Sequence, residues 1–366
     1  MSSQSALVVR GTVGRDRMLD GLRASAALAV VYVHYLFFSG LTARPGAGYI
    51  GVLVFFVLSG YLITRMLWRP LRSTSTPYRS FLARRIRRLL PALLGVVLVA
   101  GPVMTLVGPG DALASVRSSL IVLTQLTAFF LAADAFPMEA WVPTWSLTVE
   151  WVFYLLWPIV LVKMRRRGLS TLGATRVTLV LAALLYGAAI PLSPSAFYYL
   201  PVGNLAVMLM GSALALAHAR EPRRTGGRDA AIADMAFFAF ILAVLLPSAG
   251  LSGSWLYRVT YVPIAVIVAL VLIDQRPGTG GMARRLLESR PMVAIGQSSY
   301  SLYLWHLPIL WIAYWGLPDL PVALRVAIAT VSLVPVVWLS FTLLEKPVLK
   351  DPVATQSPIT ATVRSS

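Results

Sequence analysis

Ten apolar stretches, each long enough to cross a lipid bilayer as a helix, follow one another along the chain. Their approximate bounds are 19–41, 49–68, 89–107, 145–162, 175–192, 203–219, 230–247, 258–273, 295–316 and 321–343. A spanning helix needs about 20 predominantly apolar residues. Of the 366 residues, 58% are hydrophobic and only 13% are charged. The sequence therefore predicts an all-α fold, a polytopic integral membrane helical bundle of about ten transmembrane helices.

An eleventh apolar run, at about 118–133, decides the sidedness of every later loop. Cytoplasmic loops carry an excess of Lys and Arg. If this run does not cross the membrane, only four of the 32 Lys and Arg residues face outward, namely Arg44, Arg117, Arg258 and Arg325. We therefore predict that both termini are cytoplasmic. We expect the 118–133 run to be interfacial or re-entrant and buried against protein.

The polar stretches between the apolar runs are too short for a soluble domain. We expect a cytoplasmic N-terminal segment at 1–18, a membrane domain at 19–345, and a cytoplasmic, disordered tail at 346–366. The first 18 residues lack the apolar core of a secretory signal, so no cleavable signal peptide is expected. The protein is predicted to be a multi-pass protein of the cell (plasma) membrane.

The net charge of +18 reflects topology rather than nucleic-acid binding, because the basic residues gather at one membrane face. Membrane lipids with anionic headgroups, or an anionic cytoplasmic cofactor, are the expected partners. Cysteine is absent. This excludes disulfides, thiolate metal sites and a cysteine nucleophile, and we expect no metal.

Three groups that can accept a proton are predicted to lie at similar depth within apolar stretches: His34, Glu150 and His306. Ionisable side chains are costly at bilayer depth and are functional candidates there. Under the predicted topology all three lie in the middle or outer half of the bilayer. Imidazole suits proton transfer near neutral pH, so we predict that His34 is the general base and that Glu150 orients it or compensates its charge. Because no cation neighbours Glu150 in sequence, its partner is expected on another helix, with His34 and Arg23 as the candidates. A histidine that only hydrogen-bonds between helices is the alternative.

Arginines define the opposite end of the predicted site. Ten residues separate Arg23 from His34 in the same apolar stretch, a distance of about 16 Å along a helix. Arg23 is thus a catalytic candidate placed nearer the phosphates of a donor than its reacting carbon. Before the third stretch, Arg84, Arg85 and Arg88 share a helical face and could bind phosphate as paired forks. An ordinary positive-inside anchor would explain the same three residues.

Two polar segments inside apolar stretches add candidate contacts. Ser59, followed by Gly60, offers a hydroxyl and close backbone approach, although packing alone accounts for this pair. Ser299 and Tyr300 open the stretch that ends in His306, and any of these three could donate a hydrogen bond to a developing oxyanion.

Six elements in order give the chain a family resemblance. They are Arg23 and His34 with ten residues between them, Phe55 to Ile63 (FFVLSGYLI), Arg85 to Pro91 (RIRRLLP), Trp145 to Tyr154 (WSLTVEWVFY), Ser299 to His306 (SYSLYLWH) and Glu345 to Pro347 (EKP). This order resembles acyltransferase family 3, the integral membrane O-acyltransferases. The resemblance implies transfer of an acyl group, often acetyl, from acyl-CoA to a hydroxyl of a glycan or of a natural product such as a macrolide. It also implies functional roles for Arg23, His34, Arg85 and Arg88.

One position departs from the family pattern. The family usually has an acidic residue two positions before the Phe-Phe pair, whereas this chain has Leu53. Glu150 would then have to substitute, or the role would be dispensable. A transporter or flippase of an anionic amphiphile, without chemistry, is the alternative function, since intramembrane charges and a basic inner face would suit it as well.

Overall fold

The computed structural model describes residues 16–41, 48–68, 78–109, 111–220, 227–245, 254–273 and 281–350. Within these ranges the chain is helical and contains no β-strand. Most of the predicted N-terminal segment, through residue 15, lies outside the described residues. So do Arg44 and the tail from 351 onward.

Sixteen α-helices make up the described chain. In order they are α1 (Arg17–Phe38), α2 (Gly48–Trp68), α3 (Tyr78–Val107), α4 (Ala112–Leu123), α5 (Thr127–Ala132), α6 (Trp145–Arg166), α7 (Thr171–Ala189), α8 (Pro194–Tyr199), α9 (Pro201–Arg220), α10 (Gly227–Leu245), α11 (Ser254–Val271), α12 (Met282–Leu287), α13 (Arg290–Gln297), α14 (Ser299–Gly316), α15 (Val322–Ser340) and α16 (Lys346–Lys350). A 3-10 helix, Glu139–Thr144, precedes α6, and a π turn, Phe341–Glu345, joins α15 to α16.

Each of the ten predicted apolar stretches contains a helix: α1, α2, α3, α6, α7, α9, α10, α11, α14 and α15. Seven helical segments of the described chain are long and apolar enough to cross a membrane: Arg17–Phe38, Gly48–Trp68, Tyr78–Val107, Glu139–Arg166, Thr171–Ala189, Pro194–Ala219 and Val322–Val348. The predicted multi-span helical bundle is confirmed. The largest difference in bounds is at α3, which begins at Tyr78, so the basic segment forms the first turns of a helix. Arginine is a good helix former, so the helix extends beyond its apolar part.

The 118–133 run is not one continuous helix. Gln125 has a positive φ of 59° and separates α4 from α5. The 12 residues of α4 span about 18 Å, well short of a bilayer core of about 30 Å. One face of α4 packs on α3 and the 3-10 helix, while Leu113 and Leu120 on the other face are exposed. The run therefore packs against protein on one side only.

Helices α1 and α14 lie side by side and run in the same direction. At one end, the carbonyl oxygen of Asp20 on α1 lies only 1.8 Å from where a Cβ on Gly296, just before α14, would stand. Toward the other end, the rings of His34 and His306 are neighbours. Helix α14 also packs on α3 and α15, and most of its side chains are buried. It is thus the central helix around which the polar side chains collect.

Close backbone contact also joins α2 to α9. A Cβ on Gly60 would lie 1.8 Å from the carbonyl oxygen of Met208, and one on Gly211 would lie 2.1 Å from that of Val57. Small residues permit such crossings in membrane helices. Gly60 therefore has the packing role that its sequence context suggested.

Replacing Gly60 with alanine tests this crossing. The Cβ must displace the α9 backbone, and overpacking of this kind costs about 1–3 kcal/mol. Gly187→Ala on α7 is the matched control, because a Cβ there has nothing within 4 Å and gains helix propensity of about 1 kcal/mol. Thermal unfolding in detergent should show a lower midpoint for Gly60→Ala alone. Equal midpoints for the two variants would refute the close crossing.

Membrane sidedness can be measured because the native chain has no cysteine. Asp319 lies between α14 and α15, Arg167 follows α6, and both are exposed. The charge distribution predicts that an impermeant thiol reagent labels Asp319→Cys but not Arg167→Cys in intact cells. Lysed cells, in which both should react, serve as the control. The reverse pattern in intact cells would place both termini outside.

Candidate active site

Two histidines from parallel helices meet in one half of the bundle. The ring centroids of His34 on α1 and His306 on α14 are 5.1 Å apart, and the rings are tilted by 59°. His306 is fully buried, whereas His34 is half-buried. His34 is therefore the more accessible of the two rings.

The hydrogen bonds of the two rings determine which nitrogen is basic. Nδ1 of His34 lies 2.8 Å from the carbonyl oxygen of Val30, and Nδ1 of His306 lies 2.6 Å from that of Tyr303. A carbonyl only accepts, so Nδ1 carries the hydrogen in both rings. Each neutral imidazole then has its lone pair on Nε2. Both rings thus have Nε2 as the proton-accepting atom.

A short polar chain connects this pair to α6. The ring of Tyr303 lies 5.7 Å from that of His306. Its hydroxyl donates to the carbonyl oxygen of Pro143 at 2.6 Å and lies 2.8 Å from Oγ of Ser146. Because these groups are buried and mutually paired, they hold α6 and the preceding turn against α14.

Glu150 lies one helical turn along α6 from Ser146, the residue that contacts Tyr303. It is four residues beyond Ser146 on α6, about 6 Å further along the helix axis. It accepts hydrogen bonds from Ser59, at 3.3 Å, and from the hydroxyl of Tyr154. Of its two expected partners, Arg23 interacts electrostatically with Glu150, whereas no contact with His34 is present among the described residues.

Three arginines surround Glu150 and Tyr154. Arg23 on α1 is attracted by the charge of Glu150 and repelled by that of Arg85. The guanidinium of Arg85 lies 5.0 Å from the ring centroid of Tyr154. Arg88 interacts electrostatically with both other arginines. The first predicted helix and the basic start of α3 thus contribute to one cationic cluster.

Glu345 supplies a second carboxylate, besides Glu150, near these arginines. It is fully buried in the π turn, and its Oε1 accepts from the backbone N–H of Ser301 at 3.1 Å and from the hydroxyl of Ser301 at 2.5 Å. It attracts Arg88 and Arg23. π turns inside helical segments recur at functional sites. Here the widened turn brings an acidic residue into the protein interior.

The cationic cluster, defined by Arg23, Arg85, Arg88, Glu150 and Glu345, contains one more positive than negative group. Its five side chains form no ion pair within 4.0 Å in the described part of the chain. Buried Nε atoms of Arg23 and Arg88, and Oε2 of Glu345, have no hydrogen-bond partner there. Unpaired buried guanidinium donors are expensive. The arrangement therefore suits an anion that would complete the pairing.

The remaining predicted site residues lie apart from these two groups. Arg84 has no contact with the cationic cluster among the described residues. Ser299 is buried at the start of α14, two helical turns from His306. The hydroxyl of Tyr300 donates to the carbonyl oxygen of Leu89 at 3.0 Å. Since His306 has no hydrogen on Nε2, none of the three expected oxyanion donors has a free donor beside His34.

Tyr154 and Glu345 were absent from the predicted site although the sequence carried a signal for each. Tyr154 follows Glu150 by four residues, so the two side chains share a helical face. Glu345 opens the Glu-Lys-Pro element at the end of the last apolar stretch. A carboxylate at the end of a membrane helix is normally solvated. Glu345 is buried because the π turn directs it into the protein, which the sequence does not show.

The order of these elements agrees with a known family. A family model described as an acyltransferase domain, that of acyltransferase family 3, matches residues 16–345. The chain belongs to acyltransferase family 3. The match includes every member of the histidine pair and of the cationic cluster. With seven candidate spans, this family 3 chain is a multi-pass protein of the cell membrane.

Several relatives are named for acetyl transfer. The chain is 32% identical to "Putative peptidoglycan O-acetyltransferase YrhL" of Bacillus subtilis over 320 residues, covering 80% of this chain and 48% of the relative. It is 30% identical to the peptidoglycan O-acetyltransferase OatA of Listeria monocytogenes over 318 residues, covering 80% and 49% respectively. A Staphylococcus aureus relative, "Putative O-acetyltransferase SACOL0978", is 28% identical over 356 residues, covering 91% and 57%.

The family 3 chain spans about half the length of the curated relatives it matches. No solved structure matches it at a significant level. The chemistry of the histidine pair and of the cationic cluster is therefore argued from the described residues of this chain.

Proposed function

We propose that this chain transfers an acyl group, acetyl or another short acyl, from acyl-CoA to a hydroxyl of a glycan. The family assignment and the names of the relatives support O-acyl transfer. The donor, the acceptor and the roles of individual residues are our proposal.

The main support for the proposal is that α1 carries a phosphate-binding candidate, Arg23, near one end and a candidate base, His34, near the other. One end of this helix places Arg23 in a cationic cluster with unpaired donors. The other end, about 16 Å away, places a half-buried imidazole with a basic Nε2. Acyl-CoA has phosphates at one end and a thioester at the other, joined by an extended arm. Its binding needs a cationic site for the phosphates and a separate site for the thioester.

The proposed reaction proceeds at His34. A neutral hydroxyl is a weak nucleophile and must lose its proton as it attacks the thioester carbon. Nε2 of His34 takes that proton while the new O–C bond forms. The C–S bond then breaks, its electron pair stays on sulfur, and the proton passes from His34 to the thiolate. Attack, departure and proton transfer thus balance without any further reagent.

The cationic cluster would bind the phosphates of the donor. Guanidinium groups bind phosphate through charge-assisted, often bidentate hydrogen bonds. The free Nε atoms of Arg23 and Arg88 are available for this. Glu150 and Glu345 hold the arginines together in the absence of the donor, because they offset most of the positive charge. Glu150 therefore acts on the donor side rather than on His34.

The acceptor is proposed from the relatives. Two of them are named peptidoglycan O-acetyltransferases, which favours a glycan hydroxyl and an acetyl group. The macrolide acceptor expected from the family resemblance has no counterpart among these names. Two assays therefore distinguish the acceptors. Each uses acetyl-CoA as donor, with a muropeptide glycan or a macrolide as acceptor, and measures ester formation by mass spectrometry.

The transporter alternative makes a different prediction for the same preparation. Protein in lipid nanodiscs should release free thiol from acetyl-CoA when the acceptor is present. Movement of an anionic amphiphile across proteoliposomes with no thioester cleavage would instead favour transport.

Replacing His34 with glutamine should remove the base. General-base catalysis contributes about 10²–10⁴-fold, so kcat should fall by this factor while donor affinity stays unchanged. Tyr32→Phe, on the exposed side of the same helix, is the matched control and should retain activity. Ester formation measures the rate, and equilibrium binding of a non-hydrolysable donor analogue measures the affinity. Wild-type turnover in His34→Gln would disprove the assignment.

Neutralising Arg88 should weaken donor binding selectively. Hydrogen bonds to charged groups are worth about 1.5–3 kcal/mol, or roughly 10–150-fold in affinity. Arg88→Gln is thus expected to raise the KM for acyl-CoA and to leave the KM for the acceptor unchanged. Arg87→Gln is the control, because Arg87 is exposed on the same helix and contributes equally to the positive-inside bias. If the two variants behave alike, the arginines serve only as a topology anchor.

A further inference from the structure

Tyr154 contacts both kinds of charge in the cationic cluster, and the proposed reaction gives it no role. Its side chain is fully buried on α6. The hydroxyl donates a hydrogen bond to Oε2 of Glu150, and the guanidinium carbon of Arg85 lies 5.0 Å from the ring centroid. Tyrosine combines an aromatic face with a polar tip. This one side chain therefore contacts an anion through its hydroxyl and a cation through its ring.

Aromatic rings, rather than a carboxylate, hold Arg85 in place. Its guanidinium carbon also lies 5.5 Å from the ring centroid of Phe81, one turn earlier on α3. The rings of Phe81 and Tyr154 meet edge to face at 6.2 Å. Cation–π attraction acts within about 6 Å of a ring centroid. It uses none of the five N–H donors of a guanidinium, and Arg85 donates no hydrogen bond to a protein group within the described ranges. These donors are available to another partner.

Glu150 is the nearest natural competitor for those donors, because it contacts the same tyrosine. No ion pair within 4.0 Å joins Glu150 to Arg85, however. Oε2 of Glu150 accepts from Tyr154, and Oε1 accepts from the hydroxyl of Ser59 at 3.3 Å. Arginine and carboxylate groups typically pair through both oxygens. With a hydroxyl donor on each oxygen, Glu150 is less able to capture Arg85.

We propose that Tyr154 is a positioning residue that keeps Arg85 open for the phosphates of the donor. Its hydroxyl occupies Glu150 and its ring holds Arg85, so the two opposite charges do not pair before the donor arrives. Arg23 and Arg88 both repel Arg85, and a bound phosphate would relieve that repulsion. The consequence for donor binding rests on the proposed use of acyl-CoA. The separation of Arg85 from Glu150 does not.

Removing only the hydroxyl of Tyr154 tests this role. Tyr154→Phe keeps the ring but frees Oε2 of Glu150, which can then pair with Arg85 and compete with phosphate. For protein in lipid nanodiscs, calorimetry should show the Kd for coenzyme A rising about 10-fold, the value of one hydrogen bond to a charged group. In a Glu150→Gln background no carboxylate competes, so Tyr154→Phe should leave the Kd unchanged.

Tyr78→Phe is the matched control for loss of a hydroxyl. The Tyr78 hydroxyl also joins α3 to α6, donating to the carbonyl oxygen of Leu155 at 3.4 Å, so its removal should not alter the Kd in either background. In turnover, Tyr154→Phe should raise the KM for acetyl-CoA by the same factor and leave kcat unchanged. An equal rise in Kd in both backgrounds, no rise in the parent, or a loss confined to kcat would overturn the proposal.

Thermal unfolding tests the separation of charges without any ligand. Arg85→Gln and Glu150→Gln form a double-mutant cycle, measured in the parent and again in Tyr154→Phe. The departure from additivity should be larger in Tyr154→Phe, where the two charges can pair. The same coupling in both backgrounds would contradict the role of the hydroxyl. If the coupling grows as expected but the parent binds no coenzyme A, the proposed function fails and the separation of charges by Tyr154 stands.

Discussion

Helix α1 carries both ends of the site, and its packing fixes where they lie. Near Arg23, a Cβ on Gly21 would overlap the carbonyl oxygen of Leu287, and Asp20 presses against Gly296 with similar closeness. Further along, Gly51 of α2 lies against the Ala26 carbonyl. Backbones in such direct contact cannot slide without large steric cost. The separation between the cationic cluster and the histidine pair is therefore a rigid property of the fold.

Burial explains why charges and histidines occupy separate levels. Ionised groups in a low-dielectric interior persist when opposite charges or hydrogen bonds compensate them. The arginines have two carboxylates for this purpose, and Tyr154 and Ser301 bond those carboxylates in turn. The histidines are neutral in their observed hydrogen-bonding pattern and need no counterion. Leu53, the position at which the sequence departs from the expected pattern, is fully buried and apolar.

The sequence predicted the positions of all ten long helices, because apolar length alone determines them. It also predicted His34, His306, Glu150 and the arginines as residues of interest. It could not assign partners. The depth of Glu150 depends on where α6 begins after the 3-10 helix, and the burial of Glu345 depends on a π turn, neither of which leaves a clear pattern in the sequence. The pairing of polar groups across helices is a tertiary property that spacing along one helix does not encode.

The break at Gln125 has a consequence for distant helices. A chain reverses direction each time it crosses a membrane, so α1 and α14 can be parallel only if the number of crossings between them is odd. Five described helices between them, α2, α3, α6, α7 and α9, lie in segments long and apolar enough to cross, and crossing by both α10 and α11 would keep the number odd. One more crossing at 118–133 would turn α14 upside down and carry His306 to the level of the arginines. The break at Gln125, which divides this run into two short helices, thus agrees with the parallel arrangement of α1 and α14 that brings the two histidines together.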